Sequence, residues 1–302
     1  MPNTLIHLGA QGLSAKLVKH DIDMRFVFLA CIIPDLPWVV QRFARQVFGD
    51  IDRMELMLRS GIQSSLFFCL IFSAAIAAIS RKSMTVFIIL ASGSLIHLLL
   101  DATQKKWARG SFLLAPFDWH LTAFEWLWPE NTIFPILTIL SLIYIMLTWR
   151  SIRHDAVFAP PSIVRYITFA VLAIIYMAAP RMFIPALVEQ NVYFSKTLSD
   201  FDARPGKHTV FDRAPIIDVS SPTPVIRIYT GESIRLANVK LSPGGAVSVK
   251  GVFIEPDLVR VDSIHEHPPF LRTLPSVVGL VLIALLWIQT FYIRIRATRR
   301  RS

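Results

Sequence analysis

The sequence predicts an integral membrane protein: an α-helical bundle of about five spans plus a short re-entrant or capping helix, carrying a small extramembrane all-β domain of OB-like type. Three observations predict it. Apolar residues make up 54% of the 302 and charged residues only 17%, where a soluble domain carries about a quarter charged. Five segments are apolar over the ~17–20 residues that a bilayer crossing needs. A polar stretch, 181–273, breaks this pattern with Pro-Gly turns and period-two alternation.

Residues 1–25 read as an amphipathic, partly polar helix. The start, MPNTLIHLGAQGLSAKLVK, lacks the basic, apolar and small-residue regions of a cleavable signal, so the spans themselves are expected to direct insertion. Phe26–Val40 is apolar but short, and Asp35 between Pro34 and Pro37 interrupts it, which predicts the re-entrant or capping helix. Gln41–Gln63 is polar. Spans at Ser64–Ser80 and Met84–Leu100 are joined by little more than Arg81-Lys82-Ser83, a turn that forces antiparallel neighbours and brings Gln63 and Asp101 to one membrane face. The loop Asp101–Asn131 is rich in Trp, Phe and Pro. Spans at Thr132–Trp149, Ile163–Ala179 and Leu274–Ile293 follow; the second of these holds Arg165 near one end, where it is expected to snorkel. Cys31 and Cys69 lie in apolar segments without metal or redox spacing, so no disulfide is expected.

Charge sets the expected orientation. Arg294, Arg296, Arg299, Arg300 and Arg301 follow the last span and predict a cytoplasmic tail against anionic lipid, with 181–273 outside. They also explain much of the net charge of +10 without nucleic acid as a partner. Lys16, Lys19, Arg25, Arg42, Arg45, Arg53 and Arg59 then fall on the outer side, against the positive-inside rule, if 26–40 does not cross.

In 181–273, alternation at Val225–Tyr229, Ala246–Ile254 and Leu258–Ile264, bounded by Thr-Gly-Glu, Ser-Pro-Gly-Gly and Glu-Pro-Asp turns, predicts about five antiparallel strands between Thr209 and Ile264. A small OB-like barrel fits that length.

The candidate chemistry is imidazole with carboxylate. His97 and Asp101 are four apart and share a face at the end of a membrane helix. Ionisable groups there are functional or paired, so the same two residues also suit a simple helix–helix clasp. His7 sits on the first helix. Asp35 is projected by its flanking prolines. Asp118 and His120 follow in Ala115-Pro116-Phe117-Asp118-Trp119-His120. All of these can gather on one face, and together they form the ligand set of a hydrolytic Zn, Mn or Fe site. Each also has a plainer reading: an exposed helix residue for His7, a helix cap for Asp35, loop polar residues for Asp118 and His120. His265-Glu266-His267, followed by two prolines, reads as a solvated junction, and Asp200, Asp202, His208 and Asp212 as scattered loop residues. No P-loop, dinucleotide fingerprint or nucleophile elbow is present.

The order His7, Pro34-Asp35, His97-Leu-Leu-Leu-Asp101 and Pro116-Phe117 resembles the YdjM-like, DUF457-type inner-membrane metal-dependent hydrolases over roughly residues 1–150. The resemblance implies a divalent metal (Zn, Mn or Fe) on His7, Asp35, His97 and Asp101, with Asp118 or His120 as catalytic base or further ligand. The family's His-Arg-Gly-x-Thr-His-Ser element is replaced here by Leu58-Arg59-Ser60-Gly61-Ile62-Gln63-Ser64-Ser65, without histidine. Either Asp118 or His120 compensates, or this branch has lost the metal. The expected division is a membrane-embedded hydrolase-like domain at 1–180, an extracytoplasmic β-rich domain at 181–273, a last span at 274–293 and a basic tail at 294–302. The expected setting is a bacterial inner membrane, with membrane lipid as partner and an ester or phosphoester of an envelope lipid or glycan as substrate. The rival expectation is a non-catalytic membrane adaptor whose β domain binds a partner or envelope polymer.

Overall fold

The computed structural model describes residues 3–19, 21–48, 51–108, 110–149, 152, 157–160, 162–267 and 273–299, with side chains to 292 in the last stretch. The side chains of the arginine tail and most of the basic turn at 150–154 lie outside the described residues.

The helices are α1 (Thr4–Val18), α2 (Met24–Ala30), α3 (Leu36–Val47), α4 (Arg53–Gln63), α5 (Leu66–Ala78), α6 (Ser83–Ala102), α7 (Ile133–Thr148), α8 (Ile163–Ala178), α9 (Ile184–Glu189), α10 (Ser195–Ser199) and α11 (Thr273–Arg299). Three stretches are long and apolar enough to cross a membrane: Ser83–Ala102, Ile163–Glu189 and Thr273–Tyr292. A fourth arises if α4 and α5, bent by 68° at Ser64-Ser65, are taken as one broken span, while α7 is apolar but shorter. The apolar side chains of α7 and α8 point outward, among them Ile136, Ile139, Ile143, Leu147, Ile163, Val164, Ile167 and Ile174. Water would not tolerate so large an apolar surface, whereas lipid solvates it; the chain is a membrane protein.

The first helix departs from expectation. Its N-terminal half, Thr4–Gly9, is buried, and α1 packs on α7, α11, α2 and α6. An interior position rather than a wet surface follows from Gly9 and Gly12, which let α7 approach: a Cβ at Gly9 would lie 2.2 Å from the Ser141 hydroxyl oxygen. The segment 26–40 is broken rather than continuous. It forms α2, a turn over Cys31–Asp35, and α3, with Pro37 in the first turn of α3. At the tip between α1 and α2, Asp23 caps α2 and binds Arg25 through Nη2 at 2.7 Å, which accounts for a buried arginine. Arg165 is tied within the bundle: its Nη1 donates to the carbonyls of Ala78 and Ser80, each at 3.1 Å, and satisfies the C-terminal end of α5.

Residues 181–199 are largely helical, so the β-rich part starts at β1 (His208–Asp218) and continues with β2 (Val225–Arg227), β3 (Ser233–Ala237), β4 (Ala246–Glu255) and β5 (Leu258–His267). Its strands follow the order β1-β2-β3-β5-β4, with β4 pairing back onto β1; the β3–β5 pair is parallel and the rest antiparallel. Phe211, Ile226, Ile234, Leu236, Val247, Val249, Phe253 and Val259 fill the interior. His208 and Asp212 are strand residues and not loop residues as expected. A register shift between Phe211 and Ala214, with Arg213 at φ 52°, breaks the alternation of β1 and hides it from a period-two reading.

Candidate metal centre

Four side chains from three separate segments meet at the Asp101 end of α6. On α6, Ser94, His97 and Asp101 share a face and are buried. His7 comes in on α1, and its ring stacks on that of His97 with centroids 3.8 Å apart and planes 4° from parallel. Nε2 of His7 stands 3.4 Å from Oδ1 of Asp101. Nε2 of His97 stands 3.5 Å from Oδ1 of Asp35, and both imidazoles are fully buried. Asp35 occupies the cap position of α3, yet its carboxylate makes no capping hydrogen bond. It turns instead to His97. Nζ of Lys106 lies 3.4 Å from the other Asp101 oxygen.

These separations exceed the ~2.9 Å of a good N–H···O bond. Both ring nitrogens of His7 and of His97 are buried without a hydrogen-bond partner, as are Oδ1 of Asp35 and Oδ1 of Asp101. Buried polar atoms are normally satisfied, so a group of orphans this dense suits a ligand that takes lone pairs. The ligand atoms of His7, His97 and Asp101 lie within 4.8 Å of one another. Imidazole nitrogen and carboxylate oxygen are donors a zinc-like cation accepts. The donor set therefore fits a divalent metal.

The other expected residues fall elsewhere. Asp118 and His120 sit at the surface, with the His120 side chain 92% exposed, and bind each other at 2.5 Å. Hydrogen bonds from the His120 backbone and ring hold the Asp118 carboxyl below its ordinary range. Neither residue belongs to the group of donor atoms around His97 among the described residues. The degenerate element at 58–65 serves packing: Nη2 of Arg59 donates to the Met177 carbonyl at 2.7 Å, and Nε2 of Gln63 to the Tyr176 carbonyl at 3.2 Å. Two residues beyond the expected set join the polar group. Gln11, one turn after His7, and Ser94, three before His97, are buried with their polar side-chain atoms unpaired. Their helical spacing to the histidines was the available signal. A cavity of about 480 Å³ between α4, α9 and α10 is lined by none of these residues.

His265-Glu266-His267 is not a solvated junction. It ends β5, and His267 is buried against Glu130 of the 101–131 loop. Compared with known proteins, the chain matches no family model, no curated protein and no solved structure.

Proposed function

We propose that this chain is a membrane-bound, metal-dependent hydrolase of the bacterial inner membrane, acting near the bilayer face on an ester or phosphoester of an envelope lipid or glycan. One observation carries the reading: His7, Asp35 and the His97–Asp101 pair, from three segments distant in sequence, converge in a group with buried, unpaired ring nitrogens. The resemblance to the YdjM-like hydrolases names the same four residues. In this reading α5 and α7 complete a set of five spans, and the strand order with its parallel β3–β5 pair supports an OB-like domain.

When bound, a divalent metal supplies Lewis acidity and lowers the pKa of water. The chain's own part is to hold it. Neutral His7 and His97 offer nitrogen lone pairs, and the carboxylates of Asp35 and Asp101 balance charge in a site that excludes bulk water. Lys106, beside Asp101, offers a positive charge to an anionic substrate oxygen. A site at a helix end has headgroup and glycan esters within reach, which is the basis for the substrate class.

One observation favours the adaptor instead. Leu58 and Gln63 stand where the family carries histidines; Leu58 is apolar and Gln63 binds the Tyr176 carbonyl of α8, so neither brings a donor to the site. Elemental analysis of the detergent-solubilised full chain separates the readings. His97→Ala and Asp35→Asn should each lower the metal content by one equivalent and leave the bundle folded. A mere polar clasp would cost about 0.6–2 kcal/mol of stability on truncation and leave the metal content unchanged, which would sink the hydrolase reading.

A further inference from the structure

A second imidazole–carboxylate cluster lies where the β domain meets the 101–131 loop. His265 and His267 are two apart on β5 and so project from the same face of the strand. Glu130 reaches them from the loop: its Oε1 is 2.7 Å from Nδ1 of His267 and its Oε2 is 3.6 Å from Nε2 of His265. The Trp128 ring lies flat on His265, with centroids 3.7 Å apart and planes 3° from parallel, and fixes its orientation.

The hydrogens around His267 can be assigned one by one. Ser248 has a single hydroxyl proton, which it donates to Oδ1 of Asp212 at 2.9 Å. Oγ of Ser248 itself accepts the backbone N–H of Arg213 at 3.1 Å. Its 2.7 Å contact with Nε2 of His267 must therefore be donated by the imidazole. With the proton on Nε2, a neutral ring turns its Nδ1 lone pair onto Glu130, and a lone pair cannot face a carboxylate oxygen at 2.7 Å without a positive centre there. Either a second proton or a metal ion supplies it. A proton on Nδ1 satisfies His267 alone and leaves two buried atoms without partners, Oε2 of Glu130 and Nε2 of His265. A cation between the three residues satisfies all of them. The donor atoms lie within 4.8 Å of one another, and donors on one zinc stand at most about 4.2 Å apart, a gap that small side-chain rotations close. Arg213 pairs with Oε1 of Glu130 at 3.0 Å, which leaves Oε2 as the metal-facing oxygen. Asp212, through Ser248, then plays the part of the outer partner that fixes a metal-bound histidine's tautomer.

We propose that Glu130, His265 and His267 form a second metal site, for zinc or a cation of similar softness, which clips the end of β5 to the loop leading into α7. The site is separate from that at His97 and stands whether or not the first one does.

Zinc titration of the full-length protein in detergent, freed of metal by chelation, tests it in six chains: wild type, His97→Ala, His265→Ala, the double variant of these two, Ser248→Ala and Glu266→Gln. His265→Ala should remove one zinc equivalent from the wild type, and also from the His97→Ala background, with Glu266→Gln as a neighbour that changes nothing. Ser248→Ala should keep the equivalent and bind it about 10–100-fold more weakly. Equal zinc content and affinity in wild type and His265→Ala would overturn the proposal. Should His265→Ala fail to fold, the His97→Ala chain alone decides: added zinc should raise its melting temperature, and no rise would overturn the second site.

Discussion

Gly93 sits one turn before His97, and a Cβ built there would lie 2.4 Å from the Cβ of Ala30 and 2.8 Å from Oε1 of Gln11. The absence of a side chain is what lets α2 and Gln11 of α1 close on α6. The histidine–carboxylate group depends on that closeness, because Asp35 follows α2 and His7 lies on α1. Gly93→Ala should therefore cost about 1–3 kcal/mol through forced separation, read as a lower melting temperature in detergent, and should weaken metal binding as well. Ala30→Gly in the same chain should recover part of both, since the two substitutions act on one contact. An unaltered metal affinity in Gly93→Ala would detach the site from this packing. The sequence makes part of this legible. Four apart on an apolar helix, His97 and Asp101 stand out, and two prolines mark Asp35. Only helical spacing to the histidines points to Gln11 and Ser94, and nothing local marks Gly93, whose role arises from the helix packed against it.

At the scale of elements, periodicity was informative where one residue follows the next without interruption. β4 and β5 alternate enough to be expected at Ala246–Ile254 and Leu258–Ile264, close to their full lengths, although their pairing shifts register between Lys250 and Gly251 and between Phe253 and Glu255. β1 carries a bulge at Asp212-Arg213, and its alternation fails there. α5 lies inside the span expected at Ser64–Ser80, and the bend that parts it from α4 falls at Ser64-Ser65, where Oγ of Ser64 adds a 2.7 Å bond to the Ser60 carbonyl that already accepts the Ser64 backbone N–H. The loop 101–131 hid its role because Glu130 meets its partner 137 residues away. The short parallel pair of β3 and β5 rests on a clamp. Arg235 of β3 binds Asp257 through Nε at 2.9 Å and through Nη2 at 2.7 Å, beside Glu255. These hydrogen bonds hold the Asp257 carboxyl below its ordinary value of 3.8. A carboxyl depressed in the folded state stabilises it above the unfolded value and loses that contribution as pH falls through the folded one. Amide protection factors of Ile234–Ala237 should therefore fall as the pH is lowered below about 4, and Asp257→Asn should show the lower protection already at pH 7. Both side chains are substantially exposed, so the effect should be small. Protection of β3 that is indifferent to both would remove the clamp.

The whole molecule gives the contacts an order along the membrane normal. α6 ends at Ala102, just after Asp101, and from there the loop runs to Glu130 and its contact with the β domain, so the histidine group and the β domain share a side. α7 leaves that side and α8 returns to it, beginning beside Ser80 at Arg165 and passing Gln63 at Tyr176. α11 leaves it again: Gly279 adjoins Thr4, and Phe291 stacks on Phe158 at the far end. The first two helices follow the same axis. Gly9 meets Ser141 and Gly12 meets Tyr144, so α1 descends along α7; Phe26 meets Trp287 and Ala30 meets Gly93, so α2 climbs back to Asp35. Their tip, with Lys16, Lys19 and Arg25, thus lies at the end of the bundle opposite the β domain. If the arginine tail is cytoplasmic, as the sequence predicts, this end is cytoplasmic too, and three of the seven basic residues no longer offend the positive-inside rule. Membrane-impermeant thiol labelling can read this directly, because both native cysteines, Cys31 and Cys69, are buried. A cysteine at exposed Lys19 should react only from the side on which one at Ser302 reacts. A cysteine at Gly206, in an exposed turn with nothing within 4 Å of its Cβ, should react only from the other. Lys19→Cys and Gly206→Cys labelled from the same side would refute the hairpin of α1 and α2.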